Sequence, residues 1–255
     1  VFDSPHSAGN DRRSMALKSP ETIRLKPSGR ATVAVALPGT GSDADFARRA
    51  FGAAAAASGL EFVAAEPDPR GLIAGYRAAL DAAAARGPVL AAGISLGAAI
   101  AVEWAAEHPG SVTAVIAALP AWTGADTTDC PAALSAAFTA DRLAADGLEP
   151  VIEGMRATSP AWLADALTQS WRAQWPQLPR ALREAAGYAW PDVERLGSVG
   201  VPVALVAAID DPVHPLAVAE QWAEAIPEAA LYRITLDELG ADPAILGRIG
   251  FAAFD

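Results

Sequence analysis

The chain has 255 residues, a formal charge of −11, a single cysteine and an apolar fraction of 52%. That length suits one domain carrying an insertion and is large enough to bury a core without covalent staples. The acidic balance excludes the basic footprint of a nucleic-acid binder and a polybasic membrane patch, and the lone Cys130 excludes an internal disulfide or a thiolate metal cluster.

The first stretch, 1-VFDSPHSAGNDRRSMALKSPETIRLK-26, is polar and broken, with no apolar run of a signal peptide. No apolar run approaches ~20 residues, so no membrane span is predicted, and the expected home is a reducing cytoplasm. Residues 21–27 offer an edge strand. Short apolar, β-branched runs then predict strands at 31-ATVAVAL-37, 60-LEFVAA-65, 88-PVLAAG-93, 112-VTAVIAAL-119, 201-VPVALVAA-208 and 229-AALYRITL-236. Helical patterns fall between them at 44–57, 70–86, 96–107, 215–225 and 243–253. Strand–helix alternation with short links gives an α/β chain: a mostly parallel sheet flanked by helices on both faces. Between Pro120 and Pro191 the rhythm breaks into helical pieces separated by prolines, with Trp122, Trp162, Trp171, Trp175 and Trp190 in or at the edges of it. The domain reading is therefore a core of residues 1–119 and 191–255 and a helical cap of residues 120–190, inserted where pockets form in such sheets.

Three loops carry the candidate chemistry. In Gly93-Ile94-Ser95-Leu96-Gly97 a buried strand turns sharply into the small-residue helix 96-LGAAIAVEWAAEH-108. Such a turn lifts Ser95 Oγ to the top of the sheet, with glycines where a Cβ would collide. The N–H of Leu96 then faces any oxyanion formed at Ser95. A second N–H is expected from 37-LPGTGSDADF-46, where Gly39 and Gly41 flank Thr40 and Ser42 or Asp43 caps the next helix. This loop lacks the lysine of a phosphate-binding P-loop and the third glycine of a dinucleotide fingerprint. In 207-AAIDDPVHPLA-217, an acid at the end of a strand suits the orienting of a histidine; Asp211, directly before the Pro-Val-His-Pro turn, is preferred to Asp210.

With these residues the chain resembles the α/β-hydrolase family over nearly its whole length. The resemblance rests on the elbow Gly93–Gly97, the loop Pro38-Gly39-Thr40-Gly41, the acid loop Asp211-Pro212-Val213-His214-Pro215 and the helical cap. It implies a serine nucleophile at Ser95, an oxyanion hole from the amides of Thr40 and Leu96, an acyl-enzyme, and an acid at Asp211. The oxyanion loop departs slightly, with Pro38 where the family usually has histidine. The family also implies a histidine after the last strand, and the matching position in 236-LDELGADPAILGRIG-250 is Ala241, with Asp242 as helix cap and Pro243 as first helical residue.

Three histidines stand elsewhere in the chain as candidate substitutes. His108 stands about 20 Å along the elbow helix from Ser95 and suits the helix end. His6 lies in the polar start. His214 shares the acid's own turn, an awkward geometry for reaching Ser95 while held by Asp211, and fits a pocket wall or an exposed loop as well. On this reading the chain is a serine hydrolase scaffold for a small, largely apolar ester, thioester or amide-like acyl substrate, impaired because Ala241 replaces the base. Trp122 is expected to line the acyl pocket. The alternative is a non-hydrolytic member of the fold, ligand-binding or lyase-like. No cofactor and no metal are expected, since three scattered histidines offer no ligand spacing. The expected partner is a small-molecule acyl substrate, without nucleic acid or membrane; oligomeric state and substrate identity stay open.

Overall fold

A computed structural model describes residues 24–255. Six strands form one parallel sheet in the order β2-β1-β3-β4-β5-β6. They are β1 (Val33–Leu37), β2 (Glu61–Ala64), β3 (Val89–Ile94), β4 (Val112–Ala118), β5 (Val203–Ala208) and β6 (Ala229–Ile234). Every residue of β1, β3, β4 and β5 is buried, as befits parallel strands covered on both faces. Side-chain alternation divides the core. Val33, Val35 and Leu37 face one layer with Val89, Ala91, Val115 and Leu205, whereas Ala34 and Ala36 face the other with Leu90, Ala92, Ile116 and Val206.

The first layer is covered by α2 (Leu72–Ala84), α3 (Leu96–Glu107) and α9 (Leu216–Ala225), and the second by α1 (Ala44–Ala57) and α11 (Ile245–Ala252). Alanines on α3 let it lie against the sheet: Ala98, Ala99, Ala101 and Ala105 are all fully buried. The strand order reverses between β1 and β3, which pair directly with Leu37 opposite Gly93. A crevice at such a reversal, beyond the strands' carboxyl ends, is where parallel sheets place ligands. Both the Pro38–Ser42 loop and the Ser95 turn leave the sheet there.

Between β4 and β5 the chain passes through α4 (Pro131–Asp146), α5 (Leu148–Thr158), α6 (Ala161–Gln174), α7 (Leu178–Ala186) and the short α8 (Val193–Gly197). The insertion has its own apolar centre of Ala140, Leu143, Ile152, Trp171, Leu178 and Leu182. Cys130 is buried at its entrance, where Sγ accepts from the Ala133 N–H and burial raises the thiol pKa. The insertion is also tied to the core. Glu184 of α7 accepts from the N–H groups of Leu72 and Ile73, 3.0 Å each, and so caps α2, whose own N-cap position is Gly71. Tyr188 donates to Glu103 of α3.

Several expectations need correction. Residues 24–27 form no strand, and the Leu25 N–H donates to the Ala253 carbonyl instead; residues 21–23 lie outside the described residues, as does His6. β6 ends at Ile234, and a helix not foreseen, α10 (Leu236–Ala241), follows it. Its start is a capping box: Glu238 N–H donates to Thr235 Oγ1 and Thr235 N–H to the Glu238 carboxylate. That Thr-x-x-Glu spacing is present in the sequence, where it overlaps the end of the preceding strand pattern. Asp242 is therefore the C-cap of α10, and the last helix begins at Ile245. Among the described residues no helix is long and apolar enough to cross a membrane.

Candidate active site

Ser95 occupies the turn between β3 and α3 with φ 54° and ψ −116°, left-handed backbone that L-residues rarely adopt. The strain is held by close packing. A Cβ on Gly93 would lie 2.2 Å from the backbone of Gly97, and one on Gly97 would lie 2.3 Å from the Leu37 carbonyl oxygen. The Ser95 N–H donates to the Ala118 carbonyl at 2.9 Å, fixing the turn to β4. Ser95 is only 7% exposed.

The loop after β5 brings the second and third groups. Asp211 Oδ1 accepts from the N–H groups of Val213 at 2.8 Å and His214 at 3.2 Å, a side-chain-closed turn that doubles the chain back over the carboxylate. Oδ2 is left for the ring: His214 Nδ1 lies 2.7 Å from it. His214 Nε2 in turn lies 3.0 Å from Ser95 Oγ. The pair is largely sheltered, with side-chain exposures of 17% for His214 and 8% for Asp211. Burial raises the Asp211 pKa, but the hydrogen bond and charge of His214, with the two backbone donors, outweigh it and hold the carboxyl below its ordinary value. A carboxylate beside Nδ1 favours the tautomer that leaves Nε2 free to accept from a hydroxyl.

Facing Ser95 is the turn Gly39-Thr40-Gly41-Ser42, closed by Ser42 N–H donating to Gly39 O at 3.0 Å with Gly41 at φ 72°. Gly39 packs on the elbow: a Cβ there would lie 3.5 Å from Ser95 Cβ. Among the described residues, neither the Thr40 nor the Leu96 N–H donates a hydrogen bond within the protein. Leu96 opens α3, so its N–H also lies at the positive end of the helix dipole. Asp43, not Ser42, caps α1, accepting from Phe46 N–H at 2.9 Å.

The structure thus brings Ser95, His214, Asp211, Thr40 and Leu96 to one place and leaves Ala241 out of it. Ala241 ends α10, is exposed, and lines an outer cleft of about 520 Å³ with Asp45, Arg49, Trp162, Gln169 and Gly240. None of Ser95, Asp211 or His214 lines that cleft. The expectation that the base is missing at Ala241 therefore does not fit the geometry, because the carboxylate of Asp211 is already engaged by His214. The turn within Asp211–His214 makes the reach that appeared awkward from spacing alone. Asp210 points elsewhere, accepting from Leu236 N–H at the start of α10. His108 stacks on Trp104 and bonds its carbonyl at the far end of α3. Trp122 is half-buried against the core, its indole N–H donating to the Asp126 carbonyl and its own carbonyl accepting from Trp222. Among the described residues no group of three or more histidine, cysteine, aspartate or glutamate side chains is placed to hold a metal ion.

Sequence comparison matches residues 6–242 to the alpha/beta hydrolase family. No curated protein matches the chain in sequence. Among similar solved structures, an enol-lactonase from Burkholderia xenovorans LB400 superposes with a TM-score of 0.65 at 14% identity, over 89% of this chain and 94% of its own. An N-formylmaleamic acid deformylase from Pseudomonas putida S16 gives 0.61 at 23% identity, over 81% and 85%. A thermophilic esterase from Thermogutta terrifontis gives 0.60 at 14% identity, over 83% and 84%. At these identities the likeness concerns the fold.

Proposed function

Since the chain belongs to the alpha/beta hydrolase family, we propose that it is a working serine hydrolase for a small, largely apolar acyl compound, with His214 as its base. The observation that carries this reading is the unbroken relay from Asp211 Oδ2 to His214 Nδ1 at 2.7 Å and from His214 Nε2 to Ser95 Oγ at 3.0 Å. Ser95 Oγ attacks the acyl carbon while its proton passes to His214 Nε2. The resulting imidazolium is stabilised by Asp211, which keeps its charge throughout. The new oxyanion accepts from the unspent N–H groups of Thr40 and Leu96. His214 then gives its proton to the departing alcohol, thiol or amine, leaving an acyl-enzyme that water cleaves with His214 as base again.

The near-complete burial of Ser95, 7% exposed, supports a substrate with little charge near the scissile bond. The lactonase, deformylase and esterase among the similar structures are consistent with acyl hydrolysis as the reaction class. The test is fluorophosphonate labelling and turnover of a p-nitrophenyl ester series by the native chain, Ser95→Ala, His214→Ala and Ala241→His. The native chain should label and turn over, the first two variants should do neither, and the third should match the native chain. Native inertness, or full activity in Ser95→Ala, would overturn the reading in favour of a non-hydrolytic member of the fold.

A further inference from the structure

The turn that presents the Thr40 amide is gripped from above by the cap helix α6. Gln174 is 6% exposed, and its Nε2 donates to the Ser42 carbonyl at 3.1 Å and to Ser170 Oγ at 2.7 Å. Ser170, one helical turn earlier, is fully buried. Gln169 Nε2 donates to Asp43 Oδ2 at 3.1 Å. Between them, Trp171 stands against Gly41: a Cβ there would lie 3.0 Å from its Nε1. Three consecutive turn residues, Gly41, Ser42 and Asp43, therefore each meet a side chain of α6, while Gly39 rests on the elbow.

From this arrangement we infer that Gln174 is a positioning residue for hydrolysis, holding the Ser42 carbonyl so that the Thr40 N–H stays aimed at the oxyanion. The inference rests on the reading of Ser95 as nucleophile. Its physical basis is the stiffness of the turn. Ser42 N–H closes the turn on the Gly39 carbonyl, which shares one planar peptide group with the Thr40 N–H, so a displacement of Ser42 would swing the Thr40 amide with it. Nothing in the loop itself opposes that rotation at Gly41, which lacks a side chain. The opposing force comes from a buried amide on a different part of the fold. A buried amide is also costly to leave unpaired, so Gln174 keeps both bonds whenever α6 is seated. Seating of the cap and readiness of the oxyanion site are thereby one event, and a substrate that displaces α6 loosens the amide that would stabilise its transition state.

The experiment uses the full chain and a p-nitrophenyl ester, with Gln174→Met to remove both donors at similar volume and Ser170→Ala to remove the second anchor alone. For Gln174→Met, kcat should fall about tenfold to a hundredfold with KM nearly unchanged, the signature of a misplaced transition-state donor. A trifluoromethyl ketone, which places an oxyanion on the site, should lose affinity in step with kcat, whereas the product acid should bind as before. Ser170→Ala should shift the same two quantities in the same direction by a smaller factor, and it decides the matter if Gln174→Met does not fold. A native kcat in the folded Gln174 variant, or equal losses for ketone and product acid, would overturn the inference. If Ser95→Ala retains turnover, the function proposed above falls as well; if Ser95→Ala is inert and Gln174→Met is not, only the positioning role falls.

Discussion

Asp211 and His214, three residues apart on the loop after β5, face each other through Oδ2 and Nδ1 at 2.7 Å while the same carboxylate's Oδ1 holds the backbone of the turn that joins them. One acid thus shapes the loop and orients the ring. Asp211→Asn separates the two tasks. The asparagine oxygen can still accept from Val213 and His214, but its NH2 would then face Nδ1 and favour the wrong tautomer. Ester turnover should fall about 10⁴-fold, as for the equivalent change in other triads, with substrate binding little altered. Steady-state kinetics on the folded variant checks this, and a loss confined to KM would count against the assigned role.

Ala241→His should neither help nor harm. The side chain at 241 is exposed beside Trp162 in the outer cleft, whose carboxylates Asp45 and Asp165 are paired with Arg49 and Arg156. Combined with His214→Ala, it should restore no labelling of Ser95; recovery of labelling in that double variant would return position 241 to the mechanism.

Gly93→Ala and Gly240→Ala should differ although both are crowded. At Gly93 the added carbon meets backbone of Gly97 at 2.2 Å, which cannot yield without opening the elbow. That change should cost about 3 kcal/mol or prevent folding. At Gly240 it meets the Trp162 indole at 2.4 Å, a half-buried side chain that can turn away, so the cost should stay near ~1 kcal/mol. Urea unfolding of the two variants measures the difference.

Glu184→Ala removes the side chain that caps the first turn of α2 and unties the cap from the core at that point. The loss should be about 1–2 kcal/mol, the range for a helix cap. Glu184→Gln keeps one acceptor oxygen and should lose less. Proteolysis of the 120–190 insertion should quicken in the alanine variant before global unfolding does.

Stability should carry two opposed pH signatures. Folding lowers the pKa of Asp211 from 3.8, so its ionised form contributes stability above that value, and the contribution fades as pH falls through the folded value. Glu103 behaves oppositely. Burial raises its pKa from 4.5 and Glu107 adds to this, against the lowering effects of the Tyr188 hydroxyl, Arg195 and Arg77. Its contribution is fully present below the unfolded value and is lost as pH rises through the folded one. Melting curves should therefore show Asp211→Asn least harmful in acid, and Glu103→Gln gaining on the native chain as pH rises from about 4 toward neutrality. A pH-independent difference for either variant would contradict the assignment.

The strands, the helical character of the 120–190 insertion and the turn at Ser95 are legible in the chain alone. Apolar runs of strand length, alanine-rich helices and glycines at 93 and 97 are local signals, because period, helix caps and steric room act between neighbours in the chain. The helix α10 is equally legible in Thr235 and Glu238, whose capping-box spacing competes with a strand pattern that runs through Leu236. The partner of Ser95, by contrast, emerges only from the folded chain. His214 meets it across 119 positions, and that meeting depends on the order β1-β3-β4-β5, on Ser95 being pinned to β4, and on the Asp211 turn that folds the loop back over the crevice. Spacing in the chain carries no information about such a distance. The same holds for Gln174, whose partner Ser42 lies 132 positions away, and for Ala241, whose place in the sequence fits a base but whose side chain opens on the outside of the molecule.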